Sequence, residues 1–296
     1  LRAATLAGLM NEVTIRVPAT SANLGPGYDC LGVALQLYNR VTVARSAGPE
    51  THPMAMAVAE KFFTVSGAES FPFAWKIEGE VPQSRGLGSS VTVRLGLLHG
   101  LNELTDRPLD AGQLFRLCAE LEGHPDNAAP GAFGGFTVAG GAEVARFEIA
   151  PTLRFALLIP DFEISTPAAR RVLPPQLDRL AAAQSCANAC RITAAFATQN
   201  YALLRGAFVD HLHQPFREKE LIPILSRVIA AGEAEGALGG FLSGSGSTIC
   251  CVVEEKDEGG RMKAEEIGAA MLAASGNEGA RVVITQADNQ GAVVQA

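Results

Sequence analysis

The sequence predicts an α+β protein of two domains, and three observations lead there. Strand-like and helix-like stretches alternate in both halves of the chain. The pattern restarts near residue 151, after a first half whose regular patterning begins at Val13. The chain has 296 residues, 48% hydrophobic and 19% charged. That is ample material for two packed cores at roughly 100–200 residues per domain, and too little charge for a disordered chain. The predicted division is 13–150 and 151–296. Residues 1–12, LRAATLAGLMNE, lack the charged start, long apolar core and small-residue cleavage pattern of a signal peptide and are read as a short extension.

The elements follow in order. Residues 13–17 (VTIRV) and 41–45 (VTVAR) read as strands, with the turn run SANLGPGYDC between them. Residues 53–66 read as a helix and 73–78 (FAWKIE) alternate like a strand. The loop VPQSRGLG then opens a helical run, SSVTVRLGLLHGLNEL. Asp110 is placed to cap a helix reaching about Glu120. A second small-residue loop, EGHPDNAAPGAFGG (122–135), precedes the strand-like FTVA and VARFEI. In the second half 153–159 (LRFALLI) has the composition of a buried strand. Helical stretches are predicted over about 176–198, 200–212 and 223–236. The strands ALGGFLS and STICCVV flank SGSG, and a helix near 260–275 and a strand, ARVVIT, close the chain.

Composition excludes several function classes. The formal net charge of −7 argues against a nucleic-acid binder, whose phosphate partner attracts basic faces, but leaves room for a local basic pocket. No apolar stretch reaches the ~18 residues of a membrane span. The six cysteines include no CxxC pair and no zinc-ligand spacing, so they read as reduced core thiols in a cytoplasmic protein.

The strongest local signal is Gly86-Leu87-Gly88-Ser89-Ser90 directly before a helical run. Glycines allow positive φ and close approach of the backbone to a ligand. The free N–H groups of the helix start favour an anion, and a serine hydroxyl is a hard oxygen ligand suited to Mg²⁺. An ordinary glycine turn with a serine cap explains this motif equally well on its own. It is neither a Walker loop nor a dinucleotide fingerprint. Two further glycine-rich loops, PATSANLGPGYD (18–29) and LSGSGST (242–248), each lie beside a predicted strand, and three unrelated turns are a poor account of all three.

With these motifs together, VPATSANLGPGYDCLGVAL, PQSRGLGSS and LSGSGST, the chain resembles the GHMP superfamily of small-molecule kinases. The segments ATSANLGPGYDCLG, EGHPDNAAPGAFGG and HLHQPFR resemble the homoserine kinases within it. The resemblance covers Val13 to the C-terminus. It departs at Val91-Thr92, where the family has two small residues, and at Ser247, where the family has proline. It implies a two-domain GHMP kinase fold: a first domain with a left-handed βαβ crossover, against the ordinary right-handed rule, and a ferredoxin-like second domain. It also implies ATP and Mg²⁺ as cofactors, L-homoserine as substrate, threonine biosynthesis as the setting, and a homodimer.

The same resemblance implies the site. Pro82, Gln83, Ser84, Arg85, Gly86, Leu87, Gly88, Ser89 and Ser90, with Gly244, Ser245 and Gly246, would cradle the nucleotide. Ser90 and Glu122 would hold Mg²⁺, with Glu120 as a close competitor. Arg191 and Arg217 would bind the carboxylate, since a planar guanidinium grips two oxygens. Arg191 stands among apolar neighbours and therefore wants a partner. Asp29 would accept from the ammonium, while Asn23 and Asn127 would bond the amino acid or its hydroxyl. Turn chemistry also explains Asn23 and Asp29. Asn127, Asp126, Ser90 and Glu122 are the catalytic candidates, with Asp126 open as a base, and His124 reads as a structural histidine. A kinase for another small alcohol and a catalytically silent relative remain the alternatives.

Overall fold

The computed structural model describes residues 11–295 except 49, 142 and 256–259. The predicted extension over 1–12 lies outside these residues apart from Asn11 and Glu12, and Glu12 already opens the first strand. In chain order, β1 (Glu12–Ala22), β2 (Leu31–Arg45), α1 (Pro53–Ser66), β3 (Phe73–Gly79), α2 (Ser89–Leu104), α3 (Ala111–Glu122), α4 (Ala128–Phe133), β4 (Phe136–Gly140) and β5 (Glu143–Phe147) build the first half. β6 (Leu153–Ile159), α5 (Thr166–Arg171), α6 (Arg179–Thr198), a 3₁₀ turn (Tyr201–Leu204), α7 (Gln214–Glu220), α8 (Leu225–Ala234), β7 (Gly239–Leu242), β8 (Ile249–Glu254), α9 (Gly260–Ser275), β9 (Arg281–Gln286) and β10 (Val293–Gln295) follow.

The first sheet is built around β2. β1 runs antiparallel along one edge, from Glu12 opposite Ala44 to Ala22 opposite Gly32. On the other edge β3 takes Asn39–Arg45 and β4 takes Leu31–Val33, and β5 adds to β4. β1 also pairs with β10, so the chain's last strand returns to the first sheet. The second sheet has the order β7-β8-β6-β9, antiparallel throughout. Helices lie between β6 and β7 and between β8 and β9, which is the ferredoxin-like βαββαβ plan. The fold is α+β, and the sheet changes between β5 and β6.

One apolar core packs α1, α2 and α3 on the first sheet through residues such as Ile15, Val41, Phe62, Leu98 and Phe115. A second core joins the halves. Phe136 of β4 stacks on Phe196 of α6 with centroids 4.2 Å apart, and Leu35, Phe155 and Phe241 lie in the same cluster. The halves are thus welded by buried aromatic surface, which fixes the loops between them.

Local chemistry explains where the elements stop. Asp110 and Gln113 form a reciprocal capping box at the start of α3, and Gly123 at φ 83° ends it. α6 starts at Arg179 because the Asp178 carboxylate accepts from the N–H groups of Leu180 and Ala181.

Several expectations are corrected. β2 begins at Leu31, ten residues before the predicted strand at 41. Its first five residues are all buried, so they show no alternation. The predicted loop 122–135 contains α4. Pro130 is tolerated because it lies in the first turn, where its missing N–H is not needed. The helix predicted over 200–212 is only the 3₁₀ turn, after which Gly206 takes φ 69°. Arg191 Nη2 donates to the carbonyls of Leu203 and Arg205 there, at 3.3 and 2.9 Å. α5, α7 and β10 had no counterpart in the sequence reading.

Gly96 and Gly100 of α2 lie one turn apart, and a Cβ on either would stand 2.4 Å from Val41 or Val43 of β2. Alanine is favoured over glycine in a helix by about 1 kcal/mol. We expect the opposite sign here. G96A and G100A should each destabilise by roughly 1–3 kcal/mol through overpacking, read as a lower midpoint in urea unfolding.

Candidate active site

The N-terminus of α2 is held open by backbone geometry. Gly88, its N-cap, sits at φ 66° and supplies no capping side chain. The N–H groups of the first turn, Ser89, Ser90 and Val91, therefore keep their donors for an outside acceptor. A Cβ at Gly88 would lie 2.0 Å from Thr20 Oγ1, and one at Gly86 (φ 74°) would lie 2.1 Å from the Ser243 carbonyl.

The three glycine-rich loops are hydrogen-bonded to one another. Thr20 N–H donates to Leu87 O (3.1 Å), and Ser243 Oγ donates to Gly86 O (2.6 Å). Gly244 N–H donates to Ala22 O (3.0 Å), and Ser21 and Ser243 share a hydroxyl bond of 2.7 Å. Arg85 ties the loop to the second half through the carbonyls of Pro160 and Asp161, at 3.0 and 2.7 Å.

These loops border one cleft of about 450 Å³. One end is apolar, with Met54, Trp75, Ile77 and Val93 beside His52. The middle is the loop from Gln83 to Ser90. There Ser90 Oγ donates to Glu122 Oε2 at 3.1 Å, and Arg94 pairs with the other oxygen of Glu122.

The far end carries charge. Arg170 grips Asp29 with two bonds, Nη2 to Oδ1 at 2.8 Å and Nη1 to Oδ2 at 3.0 Å, and also donates to Tyr28 Oη at 2.8 Å. Arg217 is 2% exposed. It donates to Ala169 O and Gly244 O and makes no ion pair among the described residues. Burial pushes its guanidinium down from the ordinary arginine value.

Between the two ends, Thr20 Oγ1 donates to Asn127 Oδ1 at 2.7 Å, which leaves the Asn127 amide N–H₂ as the free group. Asp126 Oδ1 accepts from the Asn127 N–H (2.9 Å) and lies 2.6 Å from His124 Nδ1.

Most of the expected site residues meet in this cleft. Gln83 through Ser90, Glu122, Asp126, Asn127, Asn23, Asp29, Arg217, Gly244 and Ser245 line it, whereas Pro82 and Gly246 only adjoin lining residues. Asn23 has a structural task as well, since Nδ2 donates to Gly244 O and Oδ1 accepts from Asp29 N–H, both at 3.0 Å. Glu122 lines the cleft, whereas Glu120 is exposed and paired with Lys61 at 2.6 Å. His124 lines the cleft too.

Arg191 is the correction. It is exposed, does not line the cleft, and spends its guanidinium on the carbonyls of the 200s turn, which explains an arginine among apolar neighbours. The arginine missed is Arg170. It stands beside the exposed Arg171 in the short, Ser165-capped α5, and nothing in PAARR separates the two.

Comparison with known proteins finds relatives in sequence and in fold. The GHMP kinases N terminal domain matches residues 53–135 and the GHMP kinases C terminal domain matches 192–265. The chain is 36% identical over 300 residues to a homoserine kinase of Moorella thermoacetica, covering 95% of this chain and 99% of that one. It is 38% identical over 264 residues to a homoserine kinase of Deinococcus radiodurans, covering 82% and 85%. In fold it resembles the crystal structure of homoserine kinase from Cytophaga hutchinsonii, with a TM-score of 0.88 at 23% identity over 99% of this chain and 100% of that one. It also resembles the mevalonate kinase of Methanococcus jannaschii, with a TM-score of 0.71 at 13% identity over 96% and 100%.

Alanine at Gly88 must take a left-handed φ, costing about 1–2 kcal/mol, and must displace Thr20. G88A should weaken binding of a non-hydrolysable ATP analogue by more than about tenfold, measured by titration calorimetry on protein shown to be folded by circular dichroism.

Proposed function

The chain belongs to the homoserine kinases of the GHMP kinase superfamily, and from that premise we propose how its cleft transfers the γ-phosphoryl group of ATP to the side-chain hydroxyl of L-homoserine. The products are O-phospho-L-homoserine and ADP. The hydroxyl oxygen bonds to the γ-phosphorus, the bond from that phosphorus to the β–γ bridging oxygen breaks, and the hydroxyl proton is released to water as the third product. The supporting observation is a single cleft with unpaired helix-start amides at its centre and charges of both signs at one end.

We assign the apolar end to adenine and the loop from Gln83 to Ser90, with Gly244 and Ser245, to the phosphates. Arg170 and Arg217 are assigned to the substrate carboxylate and Asp29 to its ammonium. An arginine nine-tenths or more buried without a counter-ion is costly unless an anion arrives, which supports Arg217 in that role. The hydroxyl group would sit by the free amide of Asn127. Asp126 has one oxygen on both His124 and Asn127 and is 2% exposed, so we assign it to holding those two residues in place. A loose phosphoryl-transfer transition state requires chiefly positioning and charge neutralisation, which this arrangement supplies without a strong base.

The Ser90 hydroxyl and Glu122 carboxylate are hard oxygen donors that already touch, and they suit Mg²⁺. Among the described residues no cluster of three or more His, Cys, Asp or Glu is placed to cage a metal. That fits an ion that keeps most of its shell for phosphate and water. When bound, Mg²⁺ supplies neutralisation of phosphate charge. Cys118, Cys250 and Cys251 are buried as expected of core thiols, whereas Cys186 and Cys190 are exposed and Cys30 is half-buried, so the core reading is corrected for those three. The cytoplasmic setting is a proposal from the sequence. The homodimer is proposed on family resemblance, with sedimentation velocity as its check.

A mevalonate-type substrate uses the same fold but brings no ammonium to Asp29. In an ADP-release assay over homoserine, mevalonate and sugar alcohols, homoserine should lead in kcat/KM by about 10⁴-fold, as for sites built around polar groups. Equal turnover of an alcohol lacking the ammonium would overturn the reading. R170A should raise the KM for homoserine by about 10- to 100-fold, from the 1.5–3 kcal/mol of a charged hydrogen bond, with the KM for ATP unchanged. E122Q should shift the Mg²⁺ titration of activity to higher concentration by more than about tenfold, from the loss of a charged ligand.

A further inference from the structure

The way Arg217 is held assigns a task to His213, a residue with 0% exposure in the segment HLHQPFR. Arg217 Nη1 lies 3.1 Å from His213 Nδ1 as well as 2.8 Å from Gly244 O, and Nε lies 3.2 Å from Ala169 O. Among the described residues Nη2 has no partner. A guanidinium only donates, so His213 Nδ1 is the acceptor. Nε2 lies 2.8 Å from the carbonyl of Gly25, which only accepts, so Nε2 carries the proton. The two contacts together demand a neutral imidazole in one tautomer.

The surroundings agree. Burial pushes the His213 pKa down to about 4, overcoming the opposite pull of Asp210. Asp210 lies 3.5 Å from Nε2, but its oxygens are already engaged by the N–H groups of Leu212, His213 and Gln214. The charged groups acting on the ring are therefore Asp210, committed to the start of α7, the Arg217 guanidinium and, last among them, the Asp126 carboxylate, whose pull burial also outweighs. On its flank lies Tyr28, with centroids 5.4 Å apart, and both Arg170 and Arg217 stand over the Tyr28 ring, at 5.5 and 5.6 Å. Gly25 belongs to the loop that carries Asn23 and Asp29, and a Cβ there would lie 2.6 Å from Phe208 O.

We propose that His213 is a positioning residue for the amino-acid end of the substrate: a neutral acceptor anchored on the 18–29 loop, it holds Arg217 with Nη2 turned into the cleft and so sets affinity for the substrate carboxylate. This rests on the assignment of Arg217 to that carboxylate. A side chain present only to fill space needs neither nitrogen. A protonated imidazole would lose the lone pair that receives Nη1 and set a second positive charge against the guanidinium.

Three substitutions separate these roles. Phenylalanine fills the space with neither contact. Glutamine can place a donor where Nε2 stands, and asparagine can place an acceptor where Nδ1 stands. H213F and H213Q should each raise the KM for homoserine about tenfold or more, the cost of leaving a buried charged donor unmatched. The KM for ATP should stay within about twofold. H213N should recover most of the loss. If H213N is no better than H213Q, or if homoserine KM merely follows the fall in thermal midpoint across all three, the proposal fails. R217A is the control. If it leaves the homoserine KM unmoved, the Arg217 assignment fails and the His213 proposal with it. If R217A raises that KM and the His213 variants do not, only the His213 proposal fails. Should the variants not fold, ¹⁵N shifts of the wild-type imidazole at neutral pH decide. A neutral Nε2–H tautomer is expected, and an Nδ1–H or doubly protonated ring overturns the proposal.

Discussion

Everything at the cleft depends on three loops consuming one another's backbone hydrogen bonds. The carbonyls of Gly86 and Leu87 are taken by Ser243 and Thr20, and the carbonyl of Ala22 by Gly244. Loops rich in glycine are entropically expensive to order and, alone, would sample many conformations. Cross-linking them through their own main chains removes that freedom and leaves the amides at the start of α2 without acceptors among the described residues. The geometry explains why so little can be substituted. At Gly86 and Gly88 the obstacle to a side chain is another loop's backbone or hydroxyl, as well as the sign of φ.

The charged end obeys a different constraint. Asp29 and Arg170 satisfy one another across the mouth, about a third exposed, where water screens the pair and breaking it is cheap. Arg217 lies deeper and has only neutral acceptors among the described residues. A zwitterion is the ligand that compensates both conditions at once. In the proposed assignment its ammonium would replace the guanidinium at Asp29, and its carboxylate would meet Arg170, so released, together with Arg217. An alcohol without both charges leaves one of these groups unmatched, and in a buried site an unmatched charge costs more than a missing hydrogen bond between neutral groups.

What the sequence made legible followed from how local each signal was. The 86–90 loop could be read because three glycine-rich loops beside predicted strands are poorly explained as unrelated turns, and Asp110 could be read as a cap because its partner Gln113 is three residues away. Leu31–Arg40 was missed as strand because both faces of its first turns are covered, which erases alternation. The arginines show the limit most plainly. Arg191 drew attention through apolar neighbours, yet its partners are carbonyls 12 and 14 residues along the chain, in a segment whose helical pattern Gly206 interrupts. Arg170 meets Asp29 across 141 residues, and no local pattern encodes a contact of that span.

That distribution of contacts has a consequence for substrate choice. The proposed phosphate cradle is built by β1, α2 and the 242–248 loop, whereas the charged end draws on the 23–29 loop, α5 and α7. Gly244 belongs to both, since its N–H fastens to Ala22 and its carbonyl receives Arg217 and Asn23. A fold that carries many substrates must vary the second set of residues without disturbing the first. α5 and α7 are short helices of six and seven residues. Ala169 of α5 packs in a third apolar cluster with Ile222 and Leu242, apart from the Phe136–Phe196 stack, so exposed side chains on these helices can change without disturbing the core that joins the halves. Gly244 is the exception. A Cβ there would face the main chain of Gly86, and through its N–H and its carbonyl this one residue would couple the proposed nucleotide end to the proposed amino-acid end.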